Sequence, residues 1–168
     1  PLSTEKALEI LGNNPQGFVL MVEGSQIDWG GHANDWEYVS TELFDFDQVV
    51  KIAFDYADAH PGTLVIVTAD HETGGMSLVG GDLKDKSVKA AWGTGGHSAT
   101  MVPVYAYGPG AEAFAGIYDN TDVFKRLMKL MGWETRGVSS EYPRHRRRRG
   151  GRGGRGGLPI WVRVRVRV

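Results

Sequence analysis

Two short apolar runs, residues 18–22 and 63–68, stand out in the hydrophobic pattern of the chain. Neither run alternates with polar residues, which is typical of strands buried on both faces. Between them, apolar side chains recur every three or four positions from about residue 34 to residue 60, and Pro61-Gly62 follows. This spacing predicts one long amphipathic helix that begins near Asn34 or Asp35. Strand, helix and strand in this order predict a βαβ unit with parallel strands.

The rest of residues 1–133 predicts shorter elements around this unit. Helical spacing at the start of the chain is accompanied by possible capping hydroxyls. Pro103 stands near the start of a third apolar run. The Gly-rich stretches are typical of loops. In chain order we expect a helix over 2–11 capped by Ser3 or Thr4, a loop from Glu23-Gly24, a loop over 80–100, a strand over 102–107 and a helix over 121–131.

The composition changes near residue 134. Residues 1–134 carry 8 Lys and Arg against 19 Asp and Glu, a net charge of −11, whereas residues 135–168 carry 11 Arg against one Glu, a net charge of +10. We therefore predict an acidic globular domain over 1–134 and a separate Arg/Gly-rich tail over 135–168. The tail is expected to be disordered through residue 157, with a short amphipathic strand over 160–168.

The tail has two interpretations. Arg/Gly repeats bind nucleic acid through phosphate contacts and stacking, so a genuine tail makes nucleic acid a partner. Alternatively, Arg/Gly tracts followed by strict Val-Arg alternation are what a GC-rich repeat yields when it is translated out of frame, and we favour this interpretation of a non-native tail.

Cysteine is absent, which excludes disulfides and thiolate metal sites. A transition-metal site would use His, Asp and Glu, a ligand set that suits catalytic zinc better than structural zinc. Apolar runs stay well short of the roughly 20 residues needed to span a bilayer, so no membrane partner is expected. The first residues also lack the pattern of a signal peptide.

Oxygen and nitrogen ligands cluster in three Gly-containing segments beside the predicted strands. Ligands at the carboxyl ends of parallel strands meet at one edge of an open α/β sheet. Asp28 and His32 are four residues apart, so one helical turn would direct both toward the same ion. Any one of these residues could be an ordinary loop residue, but their recurrence in three segments favours a metal site. The candidate ligands are Glu23, Asp28, His32, Asp70, His71 and His97.

The strings EGSQIDWGGH, TADHETGG and GTGGHS resemble the metal-binding motifs of the alkaline phosphatase family, and the similarity extends through nearly all of residues 1–133. The resemblance implies an α/β fold, the C-terminal part of a three-layer α/β/α sandwich with a mostly parallel sheet. It also implies hydrolysis of phosphate monoesters by two Zn²⁺ ions and one Mg²⁺ ion.

The resemblance further assigns the ligands. Asp28, His32 and His97 would hold one zinc, and Asp70 and His71 would hold the second together with an upstream Asp. Glu23 would hold the magnesium, and its hard oxygen ligation suits that ion. An intact parent is expected to be a homodimer in the periplasm or secreted.

In the family, the Ser nucleophile and the phosphate-binding Arg come from sequence before the Glu23 region, and residues 1–22 contain neither. Ser25 and Ser98 adjoin the ligands, but neither is nominated, so no catalytic residue is assigned to this chain. We therefore expect the isolated chain to be an inactive fragment. Alternatives are another hydrolase of the same superfamily, acting on phosphodiesters or phosphonates, or a non-enzymatic fragment with a nucleic-acid-binding tail.

Overall fold

A computed structural model describes residues 1–133 and the backbone of residues 161–166. The chain contains both helices and strands, with six consecutive strands after the third helix and a short 3₁₀ helix before the last α-helix. The helices are α1 (Leu2–Leu11), α2 (Ser25–His32), α3 (Trp36–Ala59), the 3₁₀ helix (Ala111–Phe114) and α4 (Thr121–Leu130). The strands are β1 (Val19–Gly24), β2 (Leu64–Thr68), β3 (Glu72–Thr73), β4 (Ser77–Asp82), β5 (Ser87–Ala91), β6 (His97–Ser98), β7 (Val104–Tyr107) and β8 (Trp161–Val166).

The main sheet has the strand order β1-β8-β2-β7. β8 pairs in parallel with both β1 and β2, which makes β1 and β2 parallel to each other, and β7 runs antiparallel at the edge. The predicted parallel βαβ unit is therefore confirmed, with the difference that a third strand separates its two strands. The expected strand near residues 160–168 also forms, and it lies inside the sheet rather than apart from it.

Helices cover the two faces of β2 and make the three-layer arrangement. Val65 packs with the α1 and α3 residues Leu8 and Phe46 on one face. Leu64 and Ile66, which point the opposite way along the strand, pack with Phe114 and Val123 on the other. The expected α/β sandwich with a mostly parallel sheet is confirmed.

Helix α3 begins where the sequence predicts. Asp35 is its N-cap, and the Asp35 carboxylate accepts a hydrogen bond from the Tyr38 backbone N–H at 3.0 Å. This bond satisfies one of the backbone donors that the first turn of a helix leaves without a partner. The predicted cap of α1 is wrong, because Pro1 occupies the N-cap position, while Thr4 lies inside the helix and is buried.

Three other expectations are wrong. The segment after Glu23 is helix α2 rather than a loop, and residues 77–91 contain the antiparallel hairpin β4–β5 rather than forming part of a loop. Strand β1 is buried on one face only, because Val19 and Met21 are 51% and 53% exposed. The predicted disorder over 135–157 lies outside the described residues.

No helix among the described residues is long and apolar enough to cross a membrane.

Candidate metal centre

The predicted ligands come from elements that meet at the carboxyl-terminal edge of the sheet. Helix α2 follows β1 and carries Asp28 and His32, and the segment directly after β2 carries Asp70 and His71. His97 belongs to β6, which pairs with β3 so that His97 lies opposite Thr73. This two-residue pairing brings the third ligand segment against the second.

Helix α2 presents Asp28 and His32 on one side, one turn apart. The Oδ1 atom of Asp28 is 3.6 Å from Nε2 of His32, and Asp28 itself is only 5% exposed. Two glycines allow the helix to pack this closely. A Cβ on Gly30 would lie 2.9 Å from the backbone nitrogen of Val39 in α3, and one on Gly31 would lie 3.0 Å from Thr73.

His97 closes a triangle with these two residues. Its Nε2 atom is 3.7 Å from Asp28 Oδ1 and 3.2 Å from His32 Nε2. A tetrahedral zinc ion about 2.0–2.1 Å from its ligands holds the ligand atoms roughly 3.3–3.4 Å apart. The three separations bracket that value, so this donor set fits the ion that the resemblance implies.

The ring of His32 is oriented by the backbone. Its Nδ1 atom lies 2.8 Å from the carbonyl oxygen of Gly95. A carbonyl oxygen only accepts hydrogen bonds, so Nδ1 carries the proton and Nε2 keeps its lone pair. This is the arrangement that metal-ligating histidines usually show, with the second nitrogen donating to a carbonyl or carboxylate.

Asp70 and His71 form a second pair beside the triangle. Oδ2 of Asp70 is 3.5 Å from Nε2 of His71, and both side chains are partly buried. The His71 ring stacks on the His97 ring with centroids 3.6 Å apart. Asp28, His71 and His97 each offer a ligand atom within 4.8 Å of the other two. The two expected ligand sets therefore adjoin each other at His71.

Glu23 differs from the other five residues. It is exposed at the carboxyl-terminal end of β1. The Cα atom of Glu23 is in register with that of Arg165 in β8. Five of the six predicted ligands are thus brought together, and the Glu23 assignment stays a prediction.

Two residues beside the ligands were not singled out by the sequence analysis. Glu72 accepts hydrogen bonds from the backbone N–H groups of Gly75 and Met76 at 2.8 and 3.3 Å, and from the hydroxyl of Ser98. Thr73 is buried and donates to Asp28 at 2.6 Å. Both belong to the string TADHETGG, but their partners Ser98 and Asp28 lie on other segments, so these two contacts depend on the tertiary fold.

The comparisons with known proteins agree with this geometry. A family model described as alkaline phosphatase matches residues 2–91 and 83–133. Alkaline phosphatase 3 of Bacillus subtilis is 32% identical over 76% of this chain and 43% of its own length. Streptomycin-6-phosphate phosphatase of Streptomyces griseus is 34% identical over 77% of this chain and 34% of its own length.

Solved structures show the same likeness. Alkaline phosphatase from the Antarctic bacterium TAB5 matches with a TM-score of 0.73 and 44% identity, over 79% of this chain and 40% of that one. A variant of the TAB5 enzyme, with Mg bound in a site designated M3, matches with a TM-score of 0.72. The chain spans less than half the length of these relatives. On the family match and the shared fold, the chain belongs to the alkaline phosphatase family.

Proposed function

We propose that this chain forms the metal-binding part of an enzyme that hydrolyses phosphate monoesters. The observation that carries the proposal is the triangle of Asp28, His32 and His97, whose donor atoms lie 3.2–3.7 Å apart beside the Asp70–His71 pair. One carboxylate and two imidazoles are a common ligand set for catalytic zinc, and they leave a position open for substrate or water.

The proposal assigns each candidate residue to one metal ion. Asp28, His32 and His97 would hold one Zn²⁺, and Asp70 and His71 would contribute to a second. Glu23 would offer an oxygen ligand to Mg²⁺, which prefers carboxylates to imidazoles. When bound, a close pair of zinc ions supplies Lewis-acid stabilisation of the charge that develops on phosphoryl oxygens.

We expect that the Ser98 hydroxyl does not act as the nucleophile. Ser98, which adjoins His97, donates its hydroxyl proton to the Glu72 carboxylate, and that carboxylate is held in turn by two backbone N–H groups. This network positions Ser98 as a structural donor. As the resemblance implies, the nucleophile and the phosphate-binding Arg would come from sequence before the Glu23 region, and the isolated chain should bind metal without turnover.

Zinc titration of the full chain in competition with a chromophoric chelator tests the proposal. Asp28→Asn removes the central carboxylate and should weaken zinc binding by about 100-fold or more, since second-shell changes alone cost 10–100-fold. Asp85→Asn is the matched control, because Asp85 is exposed on the β4–β5 hairpin. Equal zinc affinity in the two variants would remove the basis of the proposal.

Hydrolysis of p-nitrophenyl phosphate by the metal-loaded chain tests the missing nucleophile. We expect no turnover above that of free zinc. Turnover that disappears in Ser98→Ala would show instead that this chain carries its own nucleophile.

The homodimer and the periplasmic or secreted location that the resemblance implies belong to the same proposal. Light scattering on a chain completed with its upstream segment would test the dimer.

A further inference from the structure

The hydroxyl of Thr73 lies between ligands of the two proposed metal positions. Its Oγ1 atom donates to Asp28 Oδ1 at 2.6 Å and is 3.2 Å from Nδ1 of His71. Asp28 belongs to the first ligand set and His71 to the second. Thr73 is 2% exposed, so these contacts form where water does not compete for them.

The chemistry of the three side chains determines which atom donates the proton in the Thr73–Asp28 and Thr73–His71 hydrogen bonds. An ionised carboxylate only accepts, so the single hydroxyl proton of Thr73 goes to Asp28. The oxygen of Thr73 then faces His71 as an acceptor, which requires a proton on Nδ1 of the imidazole. A neutral imidazole with its proton on Nδ1 has its lone pair on Nε2. Nε2 is the atom that lies 3.5 Å from Asp70 Oδ2.

We propose that Thr73 is a positioning residue that links the two metal sites through one hydroxyl group. It fixes the tautomer of His71 so that Nε2 is the ligating nitrogen, and it orients the Asp28 oxygen that faces His32 and His97. The inference rests on the proposed function for its metals, but the hydrogen-bond relay exists without them.

The surroundings hold Thr73 in this orientation. Thr73 pairs in the β-ladder with His97, and the Cβ and Cγ2 atoms of its side chain abut Gly31, where an added Cβ would come within 3.0 Å. A β-branched side chain has few χ1 rotamers, and this contact restricts them further. The methyl group therefore packs against α2 and restricts rotation about χ1, and the hydroxyl remains directed between Asp28 and His71.

Two substitutions distinguish the role of the Thr73 hydroxyl from the role of its branched side-chain shape. Thr73→Val keeps the branched shape and removes the hydroxyl, while Thr73→Ser keeps the hydroxyl and removes the methyl. In the full chain without metal, near pH 9 where an unperturbed imidazole is neutral, ¹⁵N NMR of the His71 ring reports its tautomer directly. We expect Nδ1–H in the parent chain and in Thr73→Ser, and a mixture of tautomers in Thr73→Val.

Zinc affinity gives the second measurement. Thr73→Val should weaken zinc binding by about 10–100-fold, the range seen for second-shell partners of metal ligands. Thr73→Ser should restore binding to within a few fold of the parent. A purely structural role for Thr73 would lower thermal stability without changing the His71 tautomer, and it would not predict rescue by Ser.

An Nε2–H tautomer of His71 in the parent chain would overturn the proposal, as would parent-like tautomer and affinity in Thr73→Val. If Thr73→Val fails to fold, Thr73→Ala tests the same loss, and the parent tautomer still decides. Failure of the parent chain to bind zinc would count against the proposed function alone, because the NMR measurement is made without metal.

Discussion

Strands β1 and β2 look alike in sequence but differ in their surroundings. Both are continuous apolar runs, and both pair with β8. Val65 and Ile66 in β2 are 0% and 1% exposed, because α1 and α3 cover the Val65 face of that strand and α4 with the 3₁₀ helix covers the Ile66 face. In β1, Leu20 and Val22 pack on the α3 side, while Val19 and Met21 on the opposite face remain about half exposed.

The difference shows what a continuous apolar run indicates. Such a run indicates that other elements pack on both faces of the strand, but it does not indicate which segments of the chain those elements are. In the part of the chain that the structure describes, one face of β1 leaves Val19 and Met21 about half exposed, although layered domains usually bury such apolar faces.

The strongest test of the comparison is a proline in β8. Val164 lies opposite Val22 in β1 and Val67 in β2, and proline at 164 removes a ladder donor from the middle of the sheet. We expect Val164→Pro to lower the free energy of unfolding by about 3 kcal/mol or more. Hydrogen exchange should show β1 losing more protection than β2, because β2 also pairs with β7.

Arg152→Pro, a proline placed in the Arg/Gly segment, is the control for a nonspecific effect of the substitution. Unchanged protection of residues 20–22 in Val164→Pro would contradict the central position of β8.

A matched pair of valine truncations measures the burial difference directly. Val65→Ala removes two methyl groups from a fully buried site and should destabilise the fold by about 2 kcal/mol. Val19→Ala makes the same chemical change at a half-exposed site and should cost less than about 0.5 kcal/mol. Urea denaturation of both variants gives the comparison, and equal costs would show that β1 is covered in solution.

The smallest expected effect concerns the edge strand beside β2. Tyr107 of β7 donates its hydroxyl proton to Asp58 of α3 at 2.6 Å. This hydrogen bond and the charge of the Asp58 carboxylate raise the pKa of Tyr107 above its ordinary value of 10.0. Because the folded-state pKa is raised, the stabilisation is present below about pH 10 and is lost as the pH rises through the folded-state value.

Asp58→Asn should return the Tyr107 pKa toward 10, which an ultraviolet absorbance titration of the phenolate detects. Tyr105→Phe on the same strand is a control, because it keeps the Tyr107–Asp58 hydrogen bond and should leave the raised pKa of Tyr107 unchanged. Identical titrations of Asp58→Asn and the parent chain would exclude the coupling.

Local sequence rules predicted the elements that depend on local chemistry. The Asp35 cap, the helical spacing of α3 and the β-branched run of β2 each specify their element without help from distant residues. Helix α2 was missed because Gly24, Gly30 and Gly31 favour a loop, whereas close packing of Gly30 on Val39 requires glycine within a helix. The β4–β5 hairpin was missed because its residues are mostly exposed and carry no buried apolar face.

The candidate site likewise contains residues that the sequence predicted and residues that it did not. Chemistry and spacing identified Asp28, His32, Asp70, His71 and His97, whose side chains the structure brings into two adjoining groups. The positions of Glu72 and Thr73 were not predictable, because their hydrogen bonds reach Ser98 and Asp28 across elements that only the fold brings together. Only a tertiary structure reveals partners that are 26 and 45 positions away in sequence.

The position of β8 has a consequence for biosynthesis. Strand β8 follows β1 and β2 in chain order but lies between them in the main sheet, so it is synthesised after both strands that it joins. Until β8 pairs with them, the inner edges of β1 and β2 carry backbone donors and acceptors that other nascent chains or chaperones can engage. A longer interval before β8 pairs gives these exposed edges more time to pair with other chains.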